Sequence, residues 1–151
     1  ALLVNAGAEF VRHVIEHVKP DLLQFHGDES PSFCQQFDVP FIRAIRMREG
    51  LNIEAEVREY KAAGGVLFDA WSEDQYGGTG HQFDWSRLPR ADAMPEGSPL
   101  ILAGGLTPDN VADAVRRVGP NMVDVSGGVE SAPGVKDVTK VTTFIYNAKN
   151  A

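Results

Sequence analysis

The chain has 151 residues, of which 43% are hydrophobic and 23% are charged, proportions typical of an ordinary globular domain. Its formal net charge of -7 argues against a broad surface for nucleic acid or an anionic membrane, because those partners select clustered Lys and Arg. A single cysteine excludes an internal disulfide and a cysteine-rich metal site, and it is consistent with a reducing compartment. We therefore expect one cytoplasmic domain that binds neither nucleic acid nor membrane.

Short apolar runs bounded by turn residues recur along the whole chain. In order they are 1–4, 21–26, 41–47, 65–70, 100–104 and 122–126. Most are continuous rather than alternating, which is typical of strands covered on both faces. The sequence therefore predicts six buried strands.

Helical patterns fill the intervals between these strands. The residues that share a helical face are Phe10, Val11, Val14, Ile15 and Val18 in one interval, and Val111, Ala114, Val115 and Val118 in another. Ser30 and Thr107 stand at N-cap positions, and each is followed by a proline suited to the first helical position. Asn52 and Asp137 are candidate caps for helices that start near 53 and 138. Six strand-helix units predict a parallel sheet with right-handed crossovers.

Two architectures fit this repeat: an open doubly wound sheet and a closed eight-fold barrel. Polar or glycine residues end nearly every strand, which favours the mouth of a barrel, although six units are two short of closure. The long interval between 70 and 100 contains the glycine-rich run YGGTG at 76–80, with Gly78 at its centre. A loop of this length in a compact unit is usually functional or disordered, and this one resembles a lid.

Paired glycines follow the last two predicted strands. Gly104 and Gly105 precede a predicted helix, and Ser126, Gly127 and Gly128 follow the final strand. Glycine lets a ligand approach the main chain, and a helix N-terminus offers free N–H groups, so both places suit a phosphate. In barrel enzymes the loops after strands seven and eight commonly form such a site. The alternative is that the paired glycines only make tight turns.

Two carboxylates and two neutral polar residues complete the set of strand-end candidates. Asp69 ends an apolar strand and could act as a general acid, or it could brace the following turn. Asp124, two residues before the last glycines, is better placed to orient a substrate. Gln24 and His26 share one face of their strand, and His26 could contact an anion or simply be a satisfied strand-end histidine.

Four segments together closely resemble the phosphoribosylanthranilate isomerase family, from the first residue to the last. The segments are LLQFHGDESPSFC, LFDAWSEDQYGGTGHQFDW, LILAGGLTPDNVADAV and VDVSGGVESAPGVKD. The resemblance implies an α/β fold of the (βα)8 TIM-barrel type with parallel strands, present here as about six βα units. On this basis residues 1–151 form a single domain, the C-terminal three quarters of the barrel.

The resemblance also implies an activity and a set of site residues. The family carries out an Amadori rearrangement of N-(5-phosphoribosyl)anthranilate in tryptophan biosynthesis, an intramolecular oxidoreduction that needs no cofactor or metal. Asp69 matches the family's general acid, and Asp124 matches an aspartate near the anthranilate. The family's phosphate contacts match Gly104, Gly105, Ser126, Gly127 and Gly128. Gln24, His26 and Gly78 are further candidate substrate-binding residues.

One departure from the family concerns the general base. The family uses a cysteine on its first strand, and this chain has no such motif, because its first residues resemble the family's third strand. Cys34 lies within a predicted helix, where a packing role is favoured. We therefore expect the catalytic cysteine and a further N-terminal segment to be missing from this chain, which alone would be inactive. A fused pathway enzyme is a candidate partner. The alternative functions are a non-catalytic sugar-phosphate-binding fragment and another phosphate-binding barrel such as indole-3-glycerol phosphate synthase.

Overall fold

The computed structural model describes residues 1–70, 84–94 and 98–151, and its main feature is a six-stranded parallel sheet. The strands are β1 (Leu2–Leu3), β2 (Leu23–Phe25), β3 (Phe41–Met47), β4 (Val66–Ala70), β5 (Leu100–Leu102) and β6 (Met122–Val123). Each strand pairs with the next one in the chain, in the order β1-β2-β3-β4-β5-β6. A doubly wound sheet reverses its strand order at a switch point. The uninterrupted order is that of a barrel, and it decides between the two predicted architectures.

Helices connect these strands and cover one face of the sheet. They are α1 (Ala8–Val18), α2 (Pro31–Gln35), α3 (Ile53–Glu59), α4 (Val111–Val118) and α5 (Val138–Lys149). Between β4 and β5 the chain forms 3₁₀ turns at Trp85–Arg87 and Ala91–Ala93. Within residues 1–70, 84–94 and 98–151, none of the helices has the length and apolar character needed to cross a bilayer.

Three of the four predicted helix caps are confirmed. The side chains of Ser30, Asn52 and Asp137 each accept a hydrogen bond from a backbone N–H in the first turn of α2, α3 and α5. The prediction for Thr107 is wrong, because α4 begins at Val111 with Asn110 as its N-cap. The side chain of Asn110 accepts from the N–H of Thr107 at 2.8 Å and donates to the carbonyl of Gly105 at 2.9 Å. These bonds hold residues 105–110 as a turn, so the helix starts three residues later than predicted.

Several predicted strands are too long at their carboxyl ends. β2 stops at Phe25, β5 at Leu102 and β6 at Val123, so the candidate residues that follow lie in loops beyond the sheet. Gly104 has a φ of +79°, which is incompatible with continued pairing. An antiparallel hairpin of β7 (Glu130–Ala132) and β8 (Val135–Lys136), which the sequence reading missed, follows β6.

The two faces of the sheet have separate apolar cores. The inner face carries a small cluster: Ile42, Ala44, Leu67, Ile101 and Ala103. Larger clusters fill the space between the outer face and the helices. The predicted apolar face of α4 is buried at Val111, Ala114 and Val118. On α1 only Val11 is buried, whereas Phe10 and Val18 are 57% and 66% exposed, so the apolar face predicted for this helix is only partly covered.

Candidate active site

A cleft of about 240 Å³ lies at the carboxyl ends of the strands. It is lined by Leu2, Gln24, His26, Asp69, Ala103, Gly104, Gly105, Leu106, Asp124, Val125, Ser126, Gly127 and Gly128. The lining includes every predicted site residue except Gly78, which lies in 71–83, outside the described residues. Residues from five strands or their following loops thus meet in one place.

Asp69 is a buried carboxyl group in the lining of this cleft. It is only 4% exposed, because β4 alternates and places Leu67 and Asp69 on the inner face. Its Oδ1 accepts the backbone N–H of Ala70 at 2.8 Å, and its Oδ2 lies 3.0 Å from Nε2 of His26. These two hydrogen bonds fix the orientation of the Asp69 carboxyl group, which a general acid or base requires.

Gln24 and His26 both line the cleft, as residues predicted to share one face should, and they also contact each other. The Nε2 atom of Gln24 lies 3.1 Å from Nδ1 of His26. His26 is 5% exposed, and both of its ring nitrogens are hydrogen-bonded to side chains. This is the hydrogen-bonded strand-end histidine that was one of the two predicted alternatives, and its contact with the candidate acid was not predicted.

Two independent features of the structure require a glycine at position 104. Its φ of +79° disfavours any residue with a side chain. A Cβ atom at this position would lie 2.3 Å from the backbone nitrogen of Ala70 and 2.8 Å from Oδ1 of Asp69. The loop after β5 therefore packs directly against the carboxyl group. Gly105, also at positive φ (64°), continues the same wall.

The two glycine-rich loops touch each other. A Cβ atom on Gly128 would lie 1.8 Å from the carbonyl oxygen of Leu106, so the backbone after β6 packs on the backbone after β5. Gly127 and Gly128 belong to a 3₁₀ turn, Gly127–Val129, that follows Ser126. The two loops are close enough to present amides and a hydroxyl to one anion.

Asp124 faces the same cleft from the end of β6. Although its side chain is exposed, the walls of the cleft displace part of its water, and this desolvation raises the pKa of the Asp124 carboxyl. The nearby carboxylate of Asp69 raises this pKa further, whereas His26 and Lys136 act in the opposite direction. Asp124 therefore carries its negative charge less readily than an isolated aspartate.

Lys136 is a residue near the site that sequence reasoning missed. Its Nζ donates to the carbonyl of Ser126 at 2.9 Å, to the Oγ of Ser126 at 3.3 Å and to Oε1 of Glu130 at 2.7 Å. The hairpin of β7 and β8 brings it back to the loop after β6. The Pro133-Gly134 pair was the available signal, because such a pair predicts a turn that returns the chain.

Cys34 lies away from this cleft. It is fully buried in α2, in an apolar cluster that includes Phe25 and Phe37. Burial raises the pKa of the thiol to about 11. The packing role predicted for it fits this position.

The fold and the cleft define a TIM-barrel-type α/β protein with a buried carboxyl group beside glycine-rich loops. Within the described residues, no three His, Cys, Asp or Glu side chains gather closely enough to hold a metal ion. The family model of N-(5'-phosphoribosyl)anthranilate (PRA) isomerase matches residues 1–147. The chain belongs to this family.

Similar proteins agree with this assignment. N-(5'-phosphoribosyl)anthranilate isomerase from Neisseria gonorrhoeae is 48% identical over 148 residues, which are 98% of this chain and 69% of that protein. The protein of the same name from Pseudomonas fluorescens is 49% identical over 144 residues, or 95% of this chain and 69% of that protein. This chain therefore spans about 69% of the length of these relatives.

Solved structures give the same result. The crystal structure of phosphoribosyl anthranilate isomerase from Thermotoga maritima matches with a TM-score of 0.84 and 33% identity, over 99% of this chain and 72% of that one. A second match is an isomerase in complex with reduced 1-(o-carboxyphenylamino)-1-deoxyribulose 5-phosphate. Its TM-score is 0.80 and its identity 33%, over 99% of this chain and 70% of that one.

Proposed function

We propose that this protein is a phosphoribosylanthranilate isomerase of tryptophan biosynthesis. Its substrate would be N-(5'-phosphoribosyl)anthranilate and its product 1-(2-carboxyphenylamino)-1-deoxyribulose 5-phosphate. The observation that carries the proposal is the arrangement of Asp69, a buried carboxyl group, in one cleft with the two touching glycine loops. This arrangement brings a proton donor and the glycine-rich backbone together in the same cleft.

Asp69 would supply the proton that opens the sugar ring. The ring oxygen of the furanose is a poorly basic ether, so the bond between this oxygen and C1 breaks readily only if a proton arrives as the Schiff base forms. A positioned general acid typically contributes a factor of about 10²–10⁴ to such a step. A general base other than Asp69 and Cys34 then takes the proton from C2, and the resulting enolamine rearranges to the aminoketose.

The glycine loops would bind the phosphate group of the substrate. Gly104 and Gly105 leave the main chain accessible, and Ser126 adds a hydroxyl next to Gly127 and Gly128. The chain has a net charge of -7, so its overall field does not attract an anion and the phosphate must be bound by local donors. Backbone amides can supply such donors without a charged side chain. Asp124 would lie on the anthranilate side, where a less ionised carboxyl group repels the substrate's own carboxylate less.

Cys34 is not the base in this proposal. Its thiol is fully buried among aromatic side chains and its pKa is about 11, so it is neither accessible to the substrate nor ionised near neutral pH. The family's catalytic cysteine is then absent from these 151 residues. Replacement of Cys34 by Ala should leave turnover within about twofold of the parent, and a loss comparable to that of an acid variant would contradict this assignment.

Turnover of phosphoribosylanthranilate by the protein as its gene encodes it is the primary test. Asp69→Asn should lower kcat by about 10² or more, because the amide cannot deliver a proton. Affinity for the reduced product analogue should change little. Asp21→Asn, the same chemical change at an exposed site, is the matched control and should keep full activity. If Asp69→Asn loses analogue binding instead, Asp69 holds the ligand and does not donate the proton.

Neither the structure nor the comparisons support the alternative functions, a non-catalytic sugar-phosphate-binding fragment or an indole-3-glycerol phosphate synthase. The same applies to the expectation that these 151 residues alone are inactive. Assays with both phosphorylated substrates distinguish the two enzymes, since only the synthase would consume the aminoketose. The single-domain assignment, a further N-terminal segment or fused enzyme, and the cytoplasmic location stay predictions.

A further inference from the structure

Three side chains form a continuous line of hydrogen bonds at the bottom of the cleft. Gln24 and His26 come from β2 and the residue after it, and Asp69 comes from β4. The two bonds measure 3.1 Å from Gln24 Nε2 to His26 Nδ1 and 3.0 Å from His26 Nε2 to Asp69 Oδ2. His26 and Asp69 are both more than nine-tenths buried.

The donor and acceptor roles along the line follow from the chemistry of its first member. With the Gln24 amide oriented so that its Nε2 faces Nδ1 of His26, the amide donates and Nδ1 accepts. A neutral imidazole that accepts at Nδ1 carries its hydrogen on Nε2. His26 therefore donates from Nε2 to Oδ2 of Asp69.

The two tautomers of His26 would affect a carboxylic acid in opposite ways. With the hydrogen on Nδ1, the lone pair on Nε2 would accept the proton of Asp69 and hold it against the wall of the cleft. With the hydrogen on Nε2, the wall donates to Oδ2 through His26 and to Oδ1 through the backbone N–H of Ala70. Because both wall contacts are then donors, an acidic proton on Asp69 can point only into the cleft.

We propose that Gln24 and His26 are positioning residues that fix this tautomer and so present the proton of Asp69 to the substrate. The proposal rests on the proposed function, since it concerns how the general acid of that reaction is oriented. It also changes the role predicted for both residues. Both ring nitrogens of His26 and the amide nitrogen of Gln24 are used within the line, which leaves them few hydrogen bonds to give a substrate.

Nitrogen-15 NMR of the histidine rings tests the tautomer without any assay of activity. The sample is the protein as encoded, labelled with nitrogen-15 and held at a pH at which the His26 ring is neutral; His26→Asn identifies its signals. We expect Nε2 of His26 to give the shift of a protonated nitrogen and Nδ1 that of an unprotonated one. A protonated Nδ1 in the neutral ring overturns the proposal. This result stands whether or not the protein turns over phosphoribosylanthranilate.

Gln24→Glu tests whether the tautomer matters for turnover. The new carboxylate accepts a hydrogen bond from Nδ1, so it favours the tautomer with Nδ1 protonated, or the doubly protonated ring. We expect kcat to fall by about 10-fold or more, part of the ~10²–10⁴-fold that general acid catalysis supplies, while KM changes by less than about threefold. Gln35→Glu makes the same chemical change at an exposed position of α2 and should leave both constants unaltered.

The kinetic outcomes separate positioning from binding. A variant with an altered tautomer and a kcat within twofold of the parent overturns the positioning role. A raised KM with an unchanged kcat also overturns it, in favour of substrate contact by Gln24. If Gln24→Glu does not fold, Gln24→Met removes the donor without adding a charge, and the same comparison of kcat with KM applies. Absence of turnover in the parent protein rejects the proposed function, and the NMR result still decides the tautomer.

Discussion

At the scale of single residues, the cleft depends on positions where a side chain is forbidden as much as on those that supply one. Gly104 brings the loop after β5 so close to Asp69 that one added methyl group would meet both the Ala70 nitrogen and the Asp69 carboxyl oxygen. The sequence indicated this glycine as a place where a ligand could approach the main chain. The structure adds that the group packed against Gly104 is the carboxyl group of Asp69, the candidate acid.

Gly104→Ala should therefore be destabilising for two reasons, and Gly134→Ala for only one. Both glycines have nearly the same positive φ, +79° and +78°, but a Cβ on Gly134 has no neighbour within 4 Å. We expect Gly134→Ala to lower the free energy of unfolding by about 1 kcal/mol and Gly104→Ala by about 3 kcal/mol or more. Urea unfolding of the two variants measures the difference. Equal losses would mean that the loop after β5 can move away from Asp69 at no cost.

Asp124 gives a prediction about pH. Its raised pKa means that the folded protein binds the proton more tightly than the unfolded chain does, so the contribution of Asp124 is most favourable below the usual aspartate pKa and is lost as pH rises through the higher folded value. Asp124→Asn should thus stabilise the protein at pH 7, by under about 1 kcal/mol because solvent screens this exposed group. The gain should disappear below about pH 4. Thermal unfolding at both pH values checks this, and a variant that is less stable at pH 7 contradicts it.

At the scale of secondary-structure elements, a buried acid joins three strands behind the cleft. Glu29 accepts hydrogen bonds from the backbone N–H groups of Asn5 and Gly27 at 2.6 and 2.9 Å, and it pairs with Arg43 of β3 at 3.1 Å. Arg43 in turn lies over the ring of Tyr60, whose hydroxyl donates to the carbonyl of Glu29 at 2.7 Å. This cluster links the residues that follow β1 and β2 to the interior of β3, and Gly27 in it follows directly after His26.

Removing one member of this ion pair should cost more than removing both. Glu29→Gln leaves the buried guanidinium of Arg43 without its counter-charge and places an amide donor near two N–H groups, so we expect a loss of about 3–5 kcal/mol. Glu29→Gln combined with Arg43→Met should recover part of that loss, since the buried charge is gone. The double-mutant cycle is measured by urea unfolding, with Tyr60→Phe, expected to cost about 1 kcal/mol, as a reference for one hydrogen bond. Purely additive losses would show that the two side chains do not act as a pair.

Local signals in the sequence were sufficient for the six parallel strands but not for the hairpin of β7 and β8 or for the ends of several elements. Ser30 and Asn52 could be read as caps because a cap acts within one turn of the chain. Asn110 could not, because its side chain binds the backbone of the preceding loop, an arrangement that depends on how Gly105 is turned. The bond between His26 and Asp69 joins residues 43 positions apart, and no pattern within either strand encodes it. The cleft residues were thus predictable as strand ends, whereas their mutual contacts required the fold.

At the scale of the whole molecule, the outer face of the sheet is covered by two separate apolar clusters. One joins α1 and α2 to β1 and β2, and the other joins α4 and α5 to β4 and β5. Cys34 belongs to the first cluster. As the only cysteine of the chain, it can report how often that half of the structure opens.

Alkylation of Cys34 in the native protein should be at least about 10³-fold slower than in urea-unfolded protein, because reaction requires an opening of this cluster. A double variant, Cys34→Ser with Gln35→Cys, moves the thiol to the adjacent exposed position and should react at nearly the unfolded rate.

The thiol also links stability to pH. Because its pKa rises from 9.0 to about 11 on folding, its favourable contribution is complete below pH 9 and declines as the pH approaches about 11. Cys34→Ala should remove that part of the decline, as measured by urea unfolding between pH 8 and 11. Rapid alkylation in the native state would mean that α2 separates from the sheet without global unfolding, and the apolar cluster around Phe25 would then not hold this half of the molecule together.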